Sequence, residues 1–503
     1  MALDLASELE QALENLMTGQ TVEIREDGRR MTGLDGARCE VRPGSKPILH
    51  LWSAERSLVR RVSRLVEVTT DRVRLEVERF GPKGTGRLEI VRRAQPRAQP
   101  RIDRESFAER FATLLRQQFP DETVELLTVA PDLEHSLSGS YARGWMRQGR
   151  QAWAVLGAGA SESAATIDGA LAFGLVWLDC LRSRAPAPVI SGLRLILPAE
   201  TGRMTAHRLG ALGPGVTVEL YEWRPEEPLA RRIDPADAGQ LDTWLTPRGE
   251  TERILAQAAE SDIAIRALAP AAIDSIVVPG TRQIAWRYHG LEFARWARGT
   301  VRFGIGPERA ELHEKNRAGL EALVAELAAH RRPGGNYRDS LFRAARERWL
   351  ETMTRAEITR IDARLDPEQV YGQAPTIAGR NRGVIDLLAA TGGAGRLAVI
   401  ALKADEDVQM VLQAVDYWLR VRWHLRQGDF QRFGYFPGKS LESADPLLYL
   451  VAPGLRFHSV TRTLIRYLSP AIPICRIGLN EDWRGGLRVV ERAWRNEDGA
   501  IPH

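Results

Sequence analysis

GVIDLLAATGGAGRLAVIALKADEDVQMVLQAVDYW, Gly383 to Trp418, is the stretch in which residue types and spacing specify a local fold and a chemistry together. Val384 to Ala389 and Leu397 to Leu402 are apolar runs separated by the turn sequence Gly392-Gly393-Ala394-Gly395, a pattern that predicts a β-hairpin feeding a helix. Asp386 sits in the first strand and Lys403 ends the second. Pairing the strands brings the two to one edge of the hairpin, with Ala401 on the same face as the lysine. A carboxylate inside an apolar strand is costly without a partner, which singles out Asp386; a lysine at a strand end can simply reach solvent, so only the pair carries meaning. On the following helix Gln413 and Tyr417 are four residues apart and share a face.

This constellation resembles the PD-(D/E)xK, or restriction endonuclease-like, nuclease superfamily. Its motif is an Asp, a gap, then acid-x-Lys, and its RecB-like members add Gln-x-x-x-Tyr on the next helix. The resemblance covers residues 338–478. It implies a C-terminal αβββαβ core that cleaves DNA, in preference to RNA, with Mg²⁺ or Mn²⁺, in repair or antiviral defence. Asp386 and the backbone carbonyl of Leu402 would be metal ligands, Lys403 the activating cation, and Gln413 and Tyr417 substrate-orienting groups. The superfamily often adds an acid from an upstream helix, and Glu351 is chosen for it, one turn after Glu347. The surface alternative is that both glutamates only pair with Arg343, Arg346, Arg348 and Arg355.

The tripeptide Ala401-Leu402-Lys403 departs from the pattern, because Ala401 stands where the acid belongs. Losing a ligand that sets metal position is expected to cost several orders of magnitude in rate. Three accounts stay open: an inactivating Glu→Ala replacement that traps substrate, migration of the acid to Asp405, Glu406 or Asp407, or a naturally silent protein that works by binding. The alternative to a nuclease is therefore a non-catalytic nucleic-acid-binding or scaffold subunit.

Composition bounds the rest. At 503 residues several domains are expected, and 44% apolar content fills ordinary cores. Seventy Lys+Arg with a net charge of +5 suit nucleic-acid contact and equally suit a mixed-charge surface. Cys39, Cys180 and Cys475 are widely spaced, which argues against disulfides, zinc and a catalytic thiol. The start MALDLASELEQALENL reads as an acidic amphipathic helix rather than a signal peptide, so no membrane partner and a cytoplasmic location are expected.

In chain order, an α/β protein in five parts is expected: a β-rich module (1–92), a basic Pro-containing linker (93–101), an α/β domain (102–225), a mixed connector (226–335) and the nuclease-like domain (336–503). Arg56 to Arg64 (RSLVRRVSR) offers a phosphate contact, with a solvated sheet face as the plainer reading. The 102–225 and 336–503 regions predict the same order of helices and strands, and LRLILPAE from Leu193 echoes LLYLVAPG from Leu447. An internal degenerate duplication is expected, with Gly157 and Gly159 in the places of Ala401 and Lys403 and with scaffolding, homodimer formation or DNA binding left to that copy; the alternative is that α/β elements alternate in many folds and short apolar echoes arise by chance. VLGAGAS at Val155 has Glu162 where a dinucleotide fingerprint needs its third glycine, and GPKGTG at Gly81 lacks a phosphate-loop ending and reads as a turn. In the connector, RRIDPADAGQLDTWLTPRGETERILAQAAE from Arg231 reads as helical with a proline break. Trp286, Tyr288, Trp296 and Arg298 read as core residues first and as a base-stacking surface second.

Overall fold

The computed structural model describes residues 5–17, 22–27, 29–31, 38–52, 57–69, 72–78, 85–92, 99–132, 135–184, 189–239, 241, 243–278, 280–306, 309–374, 376–377, 385–393 and 395–495. Most of the linker, most of the Gly81 turn and Val384, the first residue of the predicted hairpin strand, lie outside them. Residues 99–101 of the linker belong to the next helix.

In the first module the helix Leu5–Met17 lays Leu9, Leu13 and Leu16 on a seven-stranded antiparallel sheet. The basic stretch is not all solvated. Arg60 is 1% exposed and holds Glu26 with two bonds of 2.6 and 2.8 Å, so it is committed to the interior.

The next unit runs α1 (Gln99–Gln118), β1 (Thr123–Thr128), β2 (Tyr141–Gln148), β3 (Gln151–Ala158), α2 (Ala164–Ser183), β4 (Val189–Pro198), α3 (Arg203–Leu209), β5 (Thr217–Trp223) and β6 (Arg231–Ile233). Its sheet has the order β6-β5-β4-β3-β2-β1, with antiparallel pairs at both ends and the parallel pairs β3/β4 and β4/β5 between. α2 is the one helix, among the described residues, long and apolar enough to cross a membrane. Eleven of its residues are buried in the core, which accounts for its composition.

The last unit repeats this plan. It runs α4 (Arg346–Ala356), β7 (Tyr371–Ala374), β8 (Ile385–Ala390), β9 (Leu397–Leu402), α5 (Met410–Arg426), β10 (Leu447–Pro453), α6 (Thr461–Tyr467), β11 (Ile474–Leu479) and β12 (Val489–Trp494). The sheet order is β7-β8-β9-β10-β11-β12, again antiparallel, antiparallel, parallel, parallel, antiparallel. The upstream helix that carries Glu347 and Glu351 does not run unbroken from Ser340. Ala345 takes a left-handed φ of 48° and separates the short Ser340–Arg343 helix from α4.

The helices α2, α3, α5 and α6 of the two units bury their apolar faces in one shared core. The chains after α3 and α6 meet as an antiparallel bridge, Leu212 to Leu468, in which Gly213 donates to the Tyr467 carbonyl at 2.9 Å and Ser469 to that of Ala211 at 2.8 Å. Corresponding segments thus meet reciprocally, as across a two-fold axis. Within this interface Arg208, 1% exposed, binds both Asp416 oxygens at 2.8 and 2.6 Å and the Asp168 carboxylate at 3.0 Å.

Of the stretch predicted to be helical from Arg231, the part after the break at Pro247 is helical, and the part before it is short strands, a 3₁₀ turn and loop. The connector supplies β6, the strand pair Trp244–Leu245 with Thr376–Ile377, two short helices (Arg248–Ala256 and Ala259–Arg266), and a five-stranded antiparallel sheet from Ile273 to Glu311. Trp286, Tyr288 and Trp296 are 0%, 6% and 6% exposed in its core, so they form no stacking surface; Arg298 sits in an exposed turn.

Candidate nucleic-acid cleft

The hairpin forms because both strands are continuous apolar runs buried on both faces, and Gly395 turns them at φ 70°. Leu387 faces Ile400, and continuing that register puts Asp386 opposite Ala401. The Leu402 amide donates to Asp386 Oδ2 at 2.9 Å and fixes the carboxylate across the hairpin. Beside them is a hollow of about 170 Å³ lined by Glu347, Arg348, Asp386, Ala401 to Lys403, Met410, Gln413 and Tyr417. Asp386, Ala401, Lys403, Gln413 and Tyr417 are thus brought together from β8, β9 and one face of α5.

Of the two helix glutamates, Glu347 and not Glu351 lines the hollow. Glu351 is 2% exposed, accepts from Arg348 Nη1 at 2.8 Å and lies 4.0 Å from Arg287 Nη1. It faces back into the protein, and Glu347 lines the hollow in its place. The i, i+4 spacing put both glutamates on one helix face, and only the packing of Trp349 and Leu350 decides which reaches the cleft. Arg348 carried no sequence signal beyond a surface ion pair. Its Nη1 lies 3.9 Å from Asp386 Oδ1 and couples that carboxylate to Glu351.

The electrostatics are those of a desolvated polar pocket. Burial pushes the Asp386 carboxyl up to about 7, and Glu351 and Glu347 add to this against the Leu402 amide and Arg348. Burial likewise raises Glu347, opposed by Lys403 and Arg348. For Lys403, burial disfavours the charge, yet Glu347 and Asp407 more than offset it and raise its pKa. Its Nζ lies 2.8 Å from Asp407 Oδ2 and 3.7 Å from Glu347 Oε1. Burial and then the neighbouring Asp386 raise Tyr417, so its hydroxyl stays a donor at neutral pH.

Asp405, Glu406 and Asp407 precede α5 in a loop rather than forming its first turn. Asp405 pairs with Arg346, Glu406 is exposed, and Asp407 holds Lys403 while accepting from the Gln409 amide at 2.7 Å. None of the three replaces the missing acid next to Asp386. Among the described residues no three His, Cys, Asp or Glu side chains converge as a metal shell. A divalent cation takes a shell of six or more oxygens, anchored by carboxylates in protein sites. The pocket offers Asp386 and Glu347 around an alanine methyl, with Arg348 and Lys403 already supplying positive charge. The residues as they stand therefore do not fit a firmly held Mg²⁺ or Mn²⁺.

The corresponding place in the first unit is filled. Ala142 faces Gly157 across β2 and β3, where Asp386 faces Ala401 in the other hairpin. A Cβ on Gly157 would lie 2.6 Å from the Phe111 ring, which plugs the space from α1. The glycine loop Val155 to Ser161 is thus occupied by protein. Compared with known families the chain matches none, and no curated protein aligns with it significantly.

Proposed function

We propose that the C-terminal unit is a nuclease-type PD-(D/E)xK fold that has kept its nucleic-acid cleft and lost the acid at 401, so that the chain as written binds DNA without cutting it. The observation that carries this reading is the convergence of Asp386, Lys403, Gln413 and Tyr417 on one hollow, in which Ala401 stands opposite Asp386 across the hairpin. Lys403 and Arg348 supply cationic donors for a phosphate oxygen, and the protonated Tyr417 hydroxyl and Gln413 amide supply neutral ones. The two units sharing strand order, direction and a reciprocal contact support an internal duplication, with the Phe111-plugged copy serving as scaffold.

The test restores the acid. Ala401→Glu is expected to gain Mg²⁺- or Mn²⁺-dependent cleavage of plasmid and single-stranded DNA, while the unaltered chain and Ala401→Glu combined with Lys403→Ala remain inert. If Ala401→Glu binds DNA as the parent does and cuts nothing, nuclease ancestry of the site is refuted and a dedicated binding or scaffold subunit is left. That second reading is favoured by one observation of its own, the positive charge that Lys403 and Arg348 already place within 4 Å of Glu347 and Asp386 without a metal.

A further inference from the structure

Beside this hollow lies a second one, about 290 Å³, lined by four arginines, Arg343, Arg346, Arg456 and Arg484, together with Tyr337 and Trp483. Three of the arginines have carboxylates: Arg343 binds Glu40 at 2.7 Å, Arg346 binds Asp405 at 2.9 Å and Arg456 reaches Glu481 at 3.4 Å. Arg484 is held differently. It is 6% exposed, its guanidinium carbon lies 4.7, 5.0 and 4.1 Å from the ring centres of Phe342, Trp349 and Trp483, and its buried Nε has no hydrogen-bond partner among the described residues. Burial, reinforced by Arg346, depresses it to about 10, against the smaller opposing pull of Tyr337, Asp405 and Asp482, which also line the hollow.

A neighbour shows that this fold can satisfy such a group. Arg331, fully buried against the same Trp349 ring, spends its donors on the carbonyls of Tyr288, His289, Leu341 and Ala344. Arg484 makes no comparable set and faces an open hollow. Position adds to the case. Ala404 and Asp405, Pro453 and Arg456, and Glu481 to Arg484 lie at or just after the carboxyl ends of the parallel strands β9, β10 and β11, where open α/β sheets take ligands. The wall between the two hollows is one residue thick in sequence: Lys403 and Glu347 line the first, Ala404 and Arg346 the second.

Resting on the DNA-binding reading above, we propose that the arginine cleft binds a phosphate group of the same nucleic-acid strand, with Arg484 as its buried anchor and Arg456 at its rim. Guanidinium forks match phosphate oxygens in shape and charge, and aromatic faces keep Arg484 in place when the anion leaves. The strand then follows the carboxyl edge of the sheet, one phosphate at Lys403 and another at Arg484.

The experiment uses the full chain, its Arg484→Gln form and its Arg456→Gln form; Arg456 is half-exposed, so that variant keeps the test free of folding loss. Millimolar inorganic phosphate is expected to raise the melting temperature of the parent and not of Arg484→Gln. Each variant is expected to weaken oligonucleotide binding about tenfold, the loss of one charge-assisted contact. A preference of the parent for 5′-phosphorylated over 5′-hydroxyl strands assigns a terminal phosphate; equal binding with the same loss in the variants assigns an internal one. Undiminished DNA affinity in both variants, with no phosphate stabilisation, overturns the phosphate site and leaves the DNA reading standing. Phosphate stabilisation with no DNA binding by the parent overturns the DNA reading and the strand as ligand.

Discussion

Replacing Asp386 by Asn tests the electrostatics of the cleft directly, because the structure gives the carboxylate a large and signed cost. Its pKa is about 7 in the folded chain against an ordinary 3.8. Between these values the folded protein keeps a proton that the unfolded chain has released. The stabilising contribution is complete below the lower pKa and is lost as pH rises through the upper one. A shift of this size corresponds to on the order of 4 kcal/mol, an upper value because 21% of the side chain still meets solvent. Asn keeps the shape and still accepts from the Leu402 amide, but it carries no charge. The variant should therefore match the parent near pH 4 and exceed it by a few kcal/mol near pH 8. Denaturant midpoints followed by tryptophan fluorescence, taken across that range for both proteins, read out the difference. Parallel stability curves would refute the claim that Asp386 is held at the expense of the fold, and with it the argument that function retains it.

Other perturbations reach different parts of the structure. Arg208→Met strips Asp416 of its buried partner and is expected to cost about 3–5 kcal/mol, whereas Arg208→Met with Asp416→Leu should recover most of it; equal losses in unfolding experiments would show that the pair does not lock the two units. Gly157→Val drives a side chain into Phe111, with Cβ alone at 2.6 Å, and should destabilise by about 1–3 kcal/mol. Combining it with Phe111→Ala should relieve that loss, and an additive double mutant would speak against a plugged site. Gly395→Ala places a methyl 2.1 Å from the Ser440 carbonyl at φ 70°, so a marked drop in melting temperature is expected; an unchanged one would mean the hairpin turn yields.

Much of the two-unit plan was legible because buried parallel strands such as Leu447–Pro453 read as apolar runs, and their order survives in both halves. The outer strands Arg231–Ile233 and Val489–Trp494 were not, since Arg231 and Arg232 look like helix surface and the alternation in VVERAW is brief. The hairpin placed Asp386, Ala401 and Lys403 by register alone, and α5 placed Gln413 and Tyr417 by periodicity. Glu347 and Arg348 depended on how α4 rolls against β8 and β9, which the left-handed Ala345 sets and no local pattern announces. The arginine cleft was invisible for the same reason: its residues come from three strand exits and a helix entry far apart in sequence.

The shared helix layer has a consequence for the order of events on the ribosome. The first unit is complete at Ile233 and α2 packs on its own strands β3 and β4, yet part of the apolar surface of α2 and α3 is covered only when α5 and α6 have been made. Throughout that interval a helix apolar enough to enter a membrane is without its final partner, and premature association with another nascent chain is the hazard. Slow synthesis, or truncation before residue 400, should therefore bring aggregation or chaperone capture before any loss of binding is seen.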